Sequence, residues 1–245
     1  MALELDMAEW YENWFDEVYL ELYPHRNQAE AREAIASIFP LMSSLPNGPL
    51  LDLACGQGRH LAFLSELHSE AFGMDLSLTL LKKAPSSVRS QVFCANMLNL
   101  PLKPSSLSAV FMWFTSFGYF DDSNNKLLIE KVGKILKPGG YFLVDLLNET
   151  LVRQSLVAED TQETEHYHVS NQRRLEGSLL TKDILITRKS TGAKRRIQER
   201  IRLYHPDEMN YLMEASDLRL KLSLGGYDGI GFHPAAPRWI GIYQH

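Results

Sequence analysis

Apolar and polar positions follow two different rhythms along this chain of 245 residues. As far as residue 150, short apolar runs such as Ala109–Phe114 alternate with stretches of helical spacing such as 122–136. This alternation predicts strands buried on both faces of a parallel sheet, joined by helices. The predicted strands lie near 50–54, 70–75, 91–95, 109–114 and 141–146, with two more near 218–224 and 238–243.

The second rhythm occupies residues 163–203, where hydrophobic positions recur every second residue. In Arg196–Leu203, for example, Ile197, Ile201 and Leu203 fall on one face and the basic residues on the other. Turn signals divide this region into three strands. We therefore predict an α/β fold, a doubly wound seven-stranded Rossmann-like sheet with an antiparallel β meander inserted between strand five and the last helix.

The amino-terminal region is predicted to be helical and rich in aromatic residues. Residues 7–23 form one helix in this prediction, and a second spans about 27–39. Trp10 and Trp14 are four residues apart and share a face, which is typical of packing against a core.

Composition narrows the class of protein. The fraction of hydrophobic residues, 45%, is ordinary for a globular protein. No apolar run is long enough for a membrane helix, and the acidic start is unlike an export signal, so we predict a cytoplasmic protein. The two cysteines, Cys55 and Cys94, have no partners at metal-ligand spacing, so no metal site is expected.

Charge is distributed unevenly along the chain. Between Arg173 and Arg202 there are ten Lys or Arg and three acids, +7, whereas the rest of the chain has 15 basic and 27 acidic residues, −12. This segment is either the solvated face of a sheet or a patch for an anionic partner such as RNA. RNA-binding modules usually add aromatic residues for base stacking, and the segment has none, so the solvated face is favoured.

The residues with the clearest chemistry follow the predicted strands. Gly56 and Gly58 form a glycine turn between strand one and a helix, and Leu61 stands where a dinucleotide fingerprint has its third glycine. Asp75 ends strand two, where a carboxylate can accept hydrogen bonds from ribose hydroxyls. Asn96-Met97 follows strand three and suits an adenine. Together these residues predict a site for an adenosine without phosphates.

These segments resemble the motifs of class I S-adenosylmethionine-dependent methyltransferases, and most closely a bacterial small-domain subgroup of the type 11/25 kind. The resemblance covers roughly residues 45–150 in the family's order and spacing. It is carried by Leu51-Asp52-Leu53-Ala54-Cys55-Gly56-Gln57-Gly58-Arg59-His60, Gly73-Met74-Asp75-Leu76-Ser77, Asn96-Met97-Leu98-Asn99-Leu100-Pro101 and Leu136-Lys137-Pro138-Gly139-Gly140. The flanking segments are similar too, including Tyr227-Asp228-Gly229 and Arg238.

The resemblance implies S-adenosyl-L-methionine as cofactor and a set of contacts. Asp52 would orient the glycine turn and Asp75 would hold the ribose. Phe114 and Thr115 would border the sulfonium, and Arg26 would pair with the cofactor carboxylate. Asn96 stands where the family usually has Asp, and its amide oxygen would accept from the adenine amino group. The implied cofactor-binding residues are Asp52, Ala54, Gly56, Gly58, Asp75, Leu76, Asn96, Met97, Phe114, Tyr23 and Arg26.

Methyl transfer to nitrogen or oxygen of a small molecule is the first functional hypothesis. Catalysis would rest mainly on positioning, with Tyr119 as the best polar helper. The alternatives are an RNA or protein methyltransferase that uses the basic insertion, and a cofactor-binding module without activity. Asp145 either faces the substrate or caps the sheet. The expected units are a helical lid (1–40), a cofactor domain (41–155 and 204–245) and a β insertion that roofs the substrate (156–203).

Overall fold

A seven-stranded sheet forms the centre of the computed structural model, which describes residues 9–24 and 26–245. Its strand order is β10-β11-β5-β4-β1-β2-β3. The strands are β1 (Leu50–Leu53), β2 (Ala71–Asp75), β3 (Val92–Cys94), β4 (Leu107–Met112), β5 (Leu136–Leu147), β10 (Arg219–Leu224) and β11 (Arg238–Gln244). The predicted doubly wound fold is confirmed.

The topology defines the place of the site. Strand β1 pairs in parallel with β2 on one side and with β4 on the other, so the chain reverses its direction of winding there. All four residues of β1 and all six of β4 are buried, because helices cover both faces of the sheet. In open α/β sheets, ligands bind at the carboxyl ends of the strands beside such a reversal.

Helices on the two faces complete two hydrophobic cores. In one core they are α3 (Gln28–Ile38) and α4 (Arg59–Leu67), and in the other α6 (Asp122–Ile135) and α8 (Pro206–Glu214). The chain also forms two shorter helices, α5 (Leu78–Leu81) and α7 (Glu149–Ser155). The sequence pattern missed α7. Strand β5 also begins earlier than the strand predicted near 141–146. It contains a bulge, as its register with β4 moves from Leu107–Leu136 to Ala109–Tyr141.

The single helix predicted for 7–23 is wrong in its described part. Two short helices replace it, α1 (Trp10–Trp14) and α2 (Glu17–Leu22). Asp16 separates them, because its carboxylate accepts from the backbone N–H groups of Val18 and Tyr19 and so begins a new helix. Residues 7 and 8 of the prediction, and His25, lie outside the described residues.

The insertion has four antiparallel strands where three were predicted. They are β6 (Glu159–Glu163), β7 (Tyr167–Glu176), β8 (Leu179–Arg188) and β9 (Lys194–Arg202). Strand β6 has the sequence Glu-Asp-Thr-Gln-Glu and no apolar residue, so hydrophobic alternation cannot reveal it. It pairs with β7 at the edge of the sheet, where charged side chains discourage association with further strands.

The amino-terminal helices pack on the insertion. Trp14 is fully buried in a cluster with Tyr167, Val169, Ile184 and Ile186. Its indole Nε1 donates to Glu199 at 2.5 Å, and Arg195 pairs with Asp16 at 2.5 Å. The two elements therefore form one packed layer. No helix among the described residues is long and apolar enough to cross a membrane.

Candidate functional site

A single large cavity lies at the carboxyl ends of the parallel strands, with a volume of about 480 Å³, within the range of small-molecule sites. Its floor comes from the ends of β1, β2 and β4 and from the loop after β3, and its other wall comes from α1, α2 and the segment after them. Within the described part of the chain, no residue of 156–203 lines it. The insertion instead packs against the amino-terminal helices α1 and α2.

The glycine turn closes the end of β1. Ala54, Gly56 and Gly58 all have positive φ (62°, 57° and 72°), which glycine adopts without strain. Gly58 is the N-cap residue of α4, so the turn leads directly into that helix. Ala54 and Gly56 line the cavity, whereas Gly58 is not among its lining residues. The backbone at Ala54 and Gly56 is therefore the part of the turn open to a ligand.

Asp75 joins the turn to the end of β2. Its Oδ2 accepts from the backbone N–H of Gly56 at 2.8 Å, and its Oδ1 accepts from that of Ser77 at 2.7 Å. Burial raises the pKa of Asp75, and these N–H groups oppose that rise. A carboxylate offers about four lone-pair sites, so about two remain for a ligand in the cavity. Two acceptors fit the vicinal hydroxyls of a ribose.

Asn96 and Met97 lie in the loop after β3, next to Asp75 along the cavity. The Asn96 side-chain oxygen accepts from the backbone N–H of Leu98 at 2.8 Å and caps a short 3-10 turn, Met97–Asn99. The cap fixes the direction of the Asn96 side chain and leaves its NH2 group and one further oxygen lone pair for a ligand. Leu76 also lines this part of the cavity.

Asp52 lies behind the turn and is not a lining residue. Its carboxyl is 1% exposed, and Oδ2 has no hydrogen-bond partner. Burial raises the pKa of Asp52 to about 8, with nearby Asp75 also raising it and Arg59 and the Leu61 N–H lowering it. Asp52 is thus predominantly protonated at neutral pH and supports the turn from inside.

Asp52 should make stability depend on pH. An aspartate in an unfolded chain has a pKa near 3.9, so the folded protein binds an extra proton between about pH 4 and 8. This stabilising contribution is complete below about pH 4 and is lost as the pH rises through 8. Between pH 6.5 and 8, the free energy of unfolding of the wild type, measured in urea, should fall with pH more steeply than that of Asp52→Asn. The difference in slope should reach up to about 1.4 kcal/mol per pH unit.

The outcome has a clear control. Asp183→Asn, on the half-exposed face of β8, should keep the pH slope of the wild type, and parallel curves for wild type and Asp52→Asn would contradict the assignment. His60 is buried, which lowers its pKa well below 6.5. Its contribution is lost as the pH falls below 6.5, outside the chosen window.

Arg26 enters the cavity from the segment after α2. Its guanidinium contacts the rings of Tyr23 and Phe114, at 4.1 and 4.6 Å from their centroids, and donates to the Tyr19 hydroxyl. Its Nε is buried without a hydrogen-bond partner, and no carboxylate within the described ranges pairs with it. Tyr23, Arg26 and Phe114 all line the cavity. The structure therefore brings an unpaired cation to the cavity wall.

Tyr119 lies in an aromatic wall rather than a polar one. Its ring packs against Trp10 at 4.8 Å and lies nearly parallel to those of Tyr11 and Phe15, at 6.3 and 6.1 Å. Burial raises the pKa of Tyr119 far above its ordinary value, so the hydroxyl stays protonated at neutral pH. It can donate a hydrogen bond but cannot begin as a phenolate base.

The sequence analysis missed several polar residues of the cavity wall, among them His60, Trp113 and Arg59. The His60 ring stacks on Trp113 at 5.0 Å, and His60 Nε2 and Trp113 Nε1 are both buried without partners. Arg59 pairs with Glu30 at 2.6 Å and ties α4 to α3. The sequence analysis assigned no role to His60. The available signal was its place immediately after the glycine turn, where side chains of the first helical turn reach the ligand edge of the sheet.

Comparisons with known proteins agree with this geometry. Residues 50–140, from β1 into β5, match the family model described as a methyltransferase domain. The chain therefore contains a methyltransferase domain. The match covers the glycine turn, Asp75, Asn96-Met97 and Phe114, and so includes most of the residues that the sequence had singled out. The resemblance stated from the motifs is confirmed.

Individual relatives of the chain are more distant. It is 28% identical over 130 residues to a tRNA (carboxymethyluridine(34)-5-O)-methyltransferase of Arabidopsis thaliana, covering 52% of this chain and 31% of that protein. The chain matches only 37% and 31% of the length of its curated relatives.

Similar solved structures share the fold over nearly the whole chain. A S-adenosylmethionine-dependent methyltransferase from Clostridium acetobutylicum has a TM-score of 0.76 at 18% identity, covering 93% of this chain and 96% of that one. The sugar N-methyltransferase KedS8 from Streptoalloteichus has a TM-score of 0.69 at 21% identity, covering 100% and 99%. The agreement extends beyond the matched domain to the lid and insertion.

Proposed function

We propose that this protein transfers the methyl group of S-adenosylmethionine to a nitrogen or oxygen of a small molecule held in the cavity. The observation that carries the proposal is the set of polar groups that line one cavity. The loop at Asn96, the carboxylate of Asp75, the turn at Gly56 and the guanidinium of Arg26 all line the same space. This series matches adenine, ribose, and an amino acid with a free carboxylate.

The residues present fit that cofactor. Asp75 would accept from the ribose hydroxyls, and Asn96 and Met97 would contact the adenine. The backbone at Ala54 and Gly56 would lie along the methionine part, with Arg26 on its carboxylate. Three buried polar atoms near the cavity lack a hydrogen-bond partner among the described residues, namely Arg26 Nε, His60 Nε2 and Trp113 Nε1. Polar groups of a ligand would satisfy them.

The lid would supply the acceptor side. Tyr11, Phe15, Tyr119 and Phe120 present aromatic surface to the cavity, and no carboxylate in the described part of the wall lies there besides Asp75. When bound, S-adenosylmethionine supplies a methyl group on an electrophilic sulfonium. The protein's part is to align the acceptor in line with that methyl and to exclude water. Tyr119 can donate one hydrogen bond to the acceptor.

Binding and label transfer test the proposal. S-adenosylhomocysteine should raise the melting temperature of the wild type, whereas NAD should leave it unchanged. Tritiated methyl groups from S-adenosylmethionine should appear in a small-metabolite fraction rather than in RNA or protein. Absence of stabilisation by S-adenosylhomocysteine would contradict the cofactor assignment. Stabilisation without label in any fraction would favour a binding module without activity.

RNA methylation is the second candidate, since the chain resembles a tRNA methyltransferase over 130 residues and has a basic insertion. Ion pairs argue against a free basic patch. Six of the ten basic residues between 173 and 202 pair with acids, namely Arg173, Arg174, Lys189, Arg195, Arg200 and Arg202. Arg202 bridges Asp122 and Glu208 and so has a structural role.

A charge-reversal variant separates the two candidates. Arg196→Glu with Arg200→Glu changes the exposed face of β9 and leaves the Arg202 bridge intact. If the acceptor is a small molecule, methyl transfer to the metabolite fraction should match the wild type. Label in RNA that disappears in this variant would support the RNA candidate instead.

A further inference from the structure

Two consecutive residues at the end of β4 have left-handed backbone conformations although neither is glycine. Phe114 has φ 56° and Thr115 has φ 64°. This region is unfavourable for bulky residues and especially for a β-branched one. Such a conformation persists only where the surrounding structure enforces it, and it clusters at functional sites.

Asp145 of β5 enforces this turn directly. It is completely buried, and its Oδ2 accepts from the Phe114 backbone N–H at 2.6 Å. Its backbone carbonyl accepts from the Thr115 N–H at 2.8 Å. Asp145 thus accepts hydrogen bonds from the backbone N–H groups of both left-handed residues. The sequence left open whether Asp145 faces the substrate or caps the sheet. Its side chain does not line the cavity, and it binds the backbone of the turn after β4.

Two residues from the carboxyl-terminal segment hold Asp145 in turn. The Tyr227 hydroxyl donates to Oδ2 at 2.6 Å, and Arg238 Nε donates to Oδ1. Arg238 also donates through Nη2 to the Thr115 hydroxyl at 2.7 Å. Arg238 begins β11, which pairs with the end of β5, so the sheet brings these residues together. Together these hydrogen bonds connect Asp145, Tyr227 and Arg238 to the Phe114–Thr115 turn.

The turn presents the Phe114 ring to three guanidinium groups. Arg26, Arg59 and Arg238 lie 4.6, 5.0 and 5.0 Å from its centroid. Arg59 has Glu30 as its acid partner and Arg238 has Asp145, which leaves Arg26 without one among the residues described. The ring face stabilises these cations and fixes their position. A displaced Phe114 would therefore move the cation that faces the cavity.

We propose that Asp145, Tyr227 and Arg238 are positioning residues that hold the Phe114–Thr115 turn. Through the Phe114 ring they fix the arginine side chains around it, which would bind the amino-acid end of the cofactor. This inference rests on the proposed function. None of the three lines the cavity, so they act through Phe114 and not by contact with the ligand. They should influence the amino-acid half of the ligand and leave the adenosine half unaffected.

The test compares two ligands by calorimetry of the full chain. S-adenosylhomocysteine contains the amino-acid half, and 5′-methylthioadenosine lacks it. Tyr227→Phe removes one hydrogen bond from Asp145 and keeps the ring. We expect it to bind S-adenosylhomocysteine about 10-fold more weakly, the equivalent of about 1.4 kcal/mol. Its Kd for 5′-methylthioadenosine should stay within twofold of the wild type.

A matched tyrosine on β11 provides the control. Tyr243 is buried and donates to Asn210 at 2.6 Å, far from the turn in the hydrogen-bond network. Tyr243→Phe should leave both Kd values unchanged. Thr115→Val removes only the hydroxyl that Arg238 contacts, and it should repeat the selective loss seen in Tyr227→Phe.

The outcomes are separable. Equal weakening of both ligands in Tyr227→Phe, no weakening of either, or the same loss in Tyr243→Phe would overturn the positioning role. If wild-type protein does not bind S-adenosylhomocysteine at all, the proposed function fails first, and this inference falls with it. Selective loss in both Tyr227→Phe and Thr115→Val supports it.

Discussion

Asp75→Ala should abolish detectable stabilisation by S-adenosylhomocysteine and weaken its binding at least about 100-fold. Hydrogen bonds to a charged acceptor contribute about 1.5–3 kcal/mol each, and Asp75 has room for two from the ribose. The substitution also frees the N–H groups of Gly56 and Ser77, which now donate to this carboxylate. The ligand contact and the shape of the glycine turn are thus lost together.

A modified ligand separates these two effects. The 2′-deoxy form of 5′-methylthioadenosine lacks one of the hydroxyls assigned to Asp75. It should bind the wild type more weakly than 5′-methylthioadenosine does, and the difference should disappear in Asp75→Ala. If the difference persists, Asp75 only shapes the turn. Asp121→Ala, which removes an exposed cap of α6, should leave both affinities unchanged.

Local sequence patterns were sufficient to bring together the residues proposed to bind adenosine. The glycine turn, Asp75 and Asn96 each lie at or just after the end of a strand, and neighbouring parallel strands end at the same edge of the sheet. Knowing the strands therefore places these residues together without any long-range information. The same reasoning recovers the buried character of β1 and β4, because runs of apolar residues are required there.

The positioning network could not be predicted in this way. Asp145 is 82 residues from Tyr227 and 93 from Arg238 in the chain. Only the antiparallel pairing of β11 with β5 brings them together. A left-handed conformation at Phe114 also has no signal in a sequence that lacks glycine or asparagine there. The sequence singled out Tyr227 and Arg238 by resemblance, without a reason for their presence.

The lid shows a related limit. Aromatic residues at 10–23 predicted a helix with a buried face, and burial of Trp14 agrees with that. The helix is interrupted because Asp16 both caps α2 and pairs with Arg195 of the insertion. That interruption turns Phe15 toward the cavity, and the Phe15 carbonyl accepts from the Ser77 hydroxyl beside Asp75 at 2.6 Å. A tertiary contact thus decides the local structure.

Arg26→Met should weaken S-adenosylhomocysteine binding about 30- to 100-fold and change the Kd of 5′-methylthioadenosine less than threefold. Methionine keeps an apolar stem against Phe114 and Tyr23 and removes the charge. A buried, charge-assisted pair between guanidinium and carboxylate contributes about 2–3 kcal/mol, which gives the expected factor. Arg26→Lys should be intermediate, because an ammonium retains the charge but not the planar two-point contact.

Arg32 on α3 supplies the control, since it forms an exposed ion pair with Glu66 at 3.6 Å, packs over the Phe63 ring at 4.2 Å and does not line the cavity. Arg32→Met should leave both ligands at wild-type affinity. Equal losses for the two ligands in Arg26→Met would indicate a general opening of the lid rather than recognition of the carboxylate. A loss confined to S-adenosylhomocysteine requires a contact with its amino-acid end, because the two ligands share their adenosine. Of the three guanidinium groups around Phe114, that of Arg26 has no acidic partner among the described residues, so that contact would be its carboxylate pair.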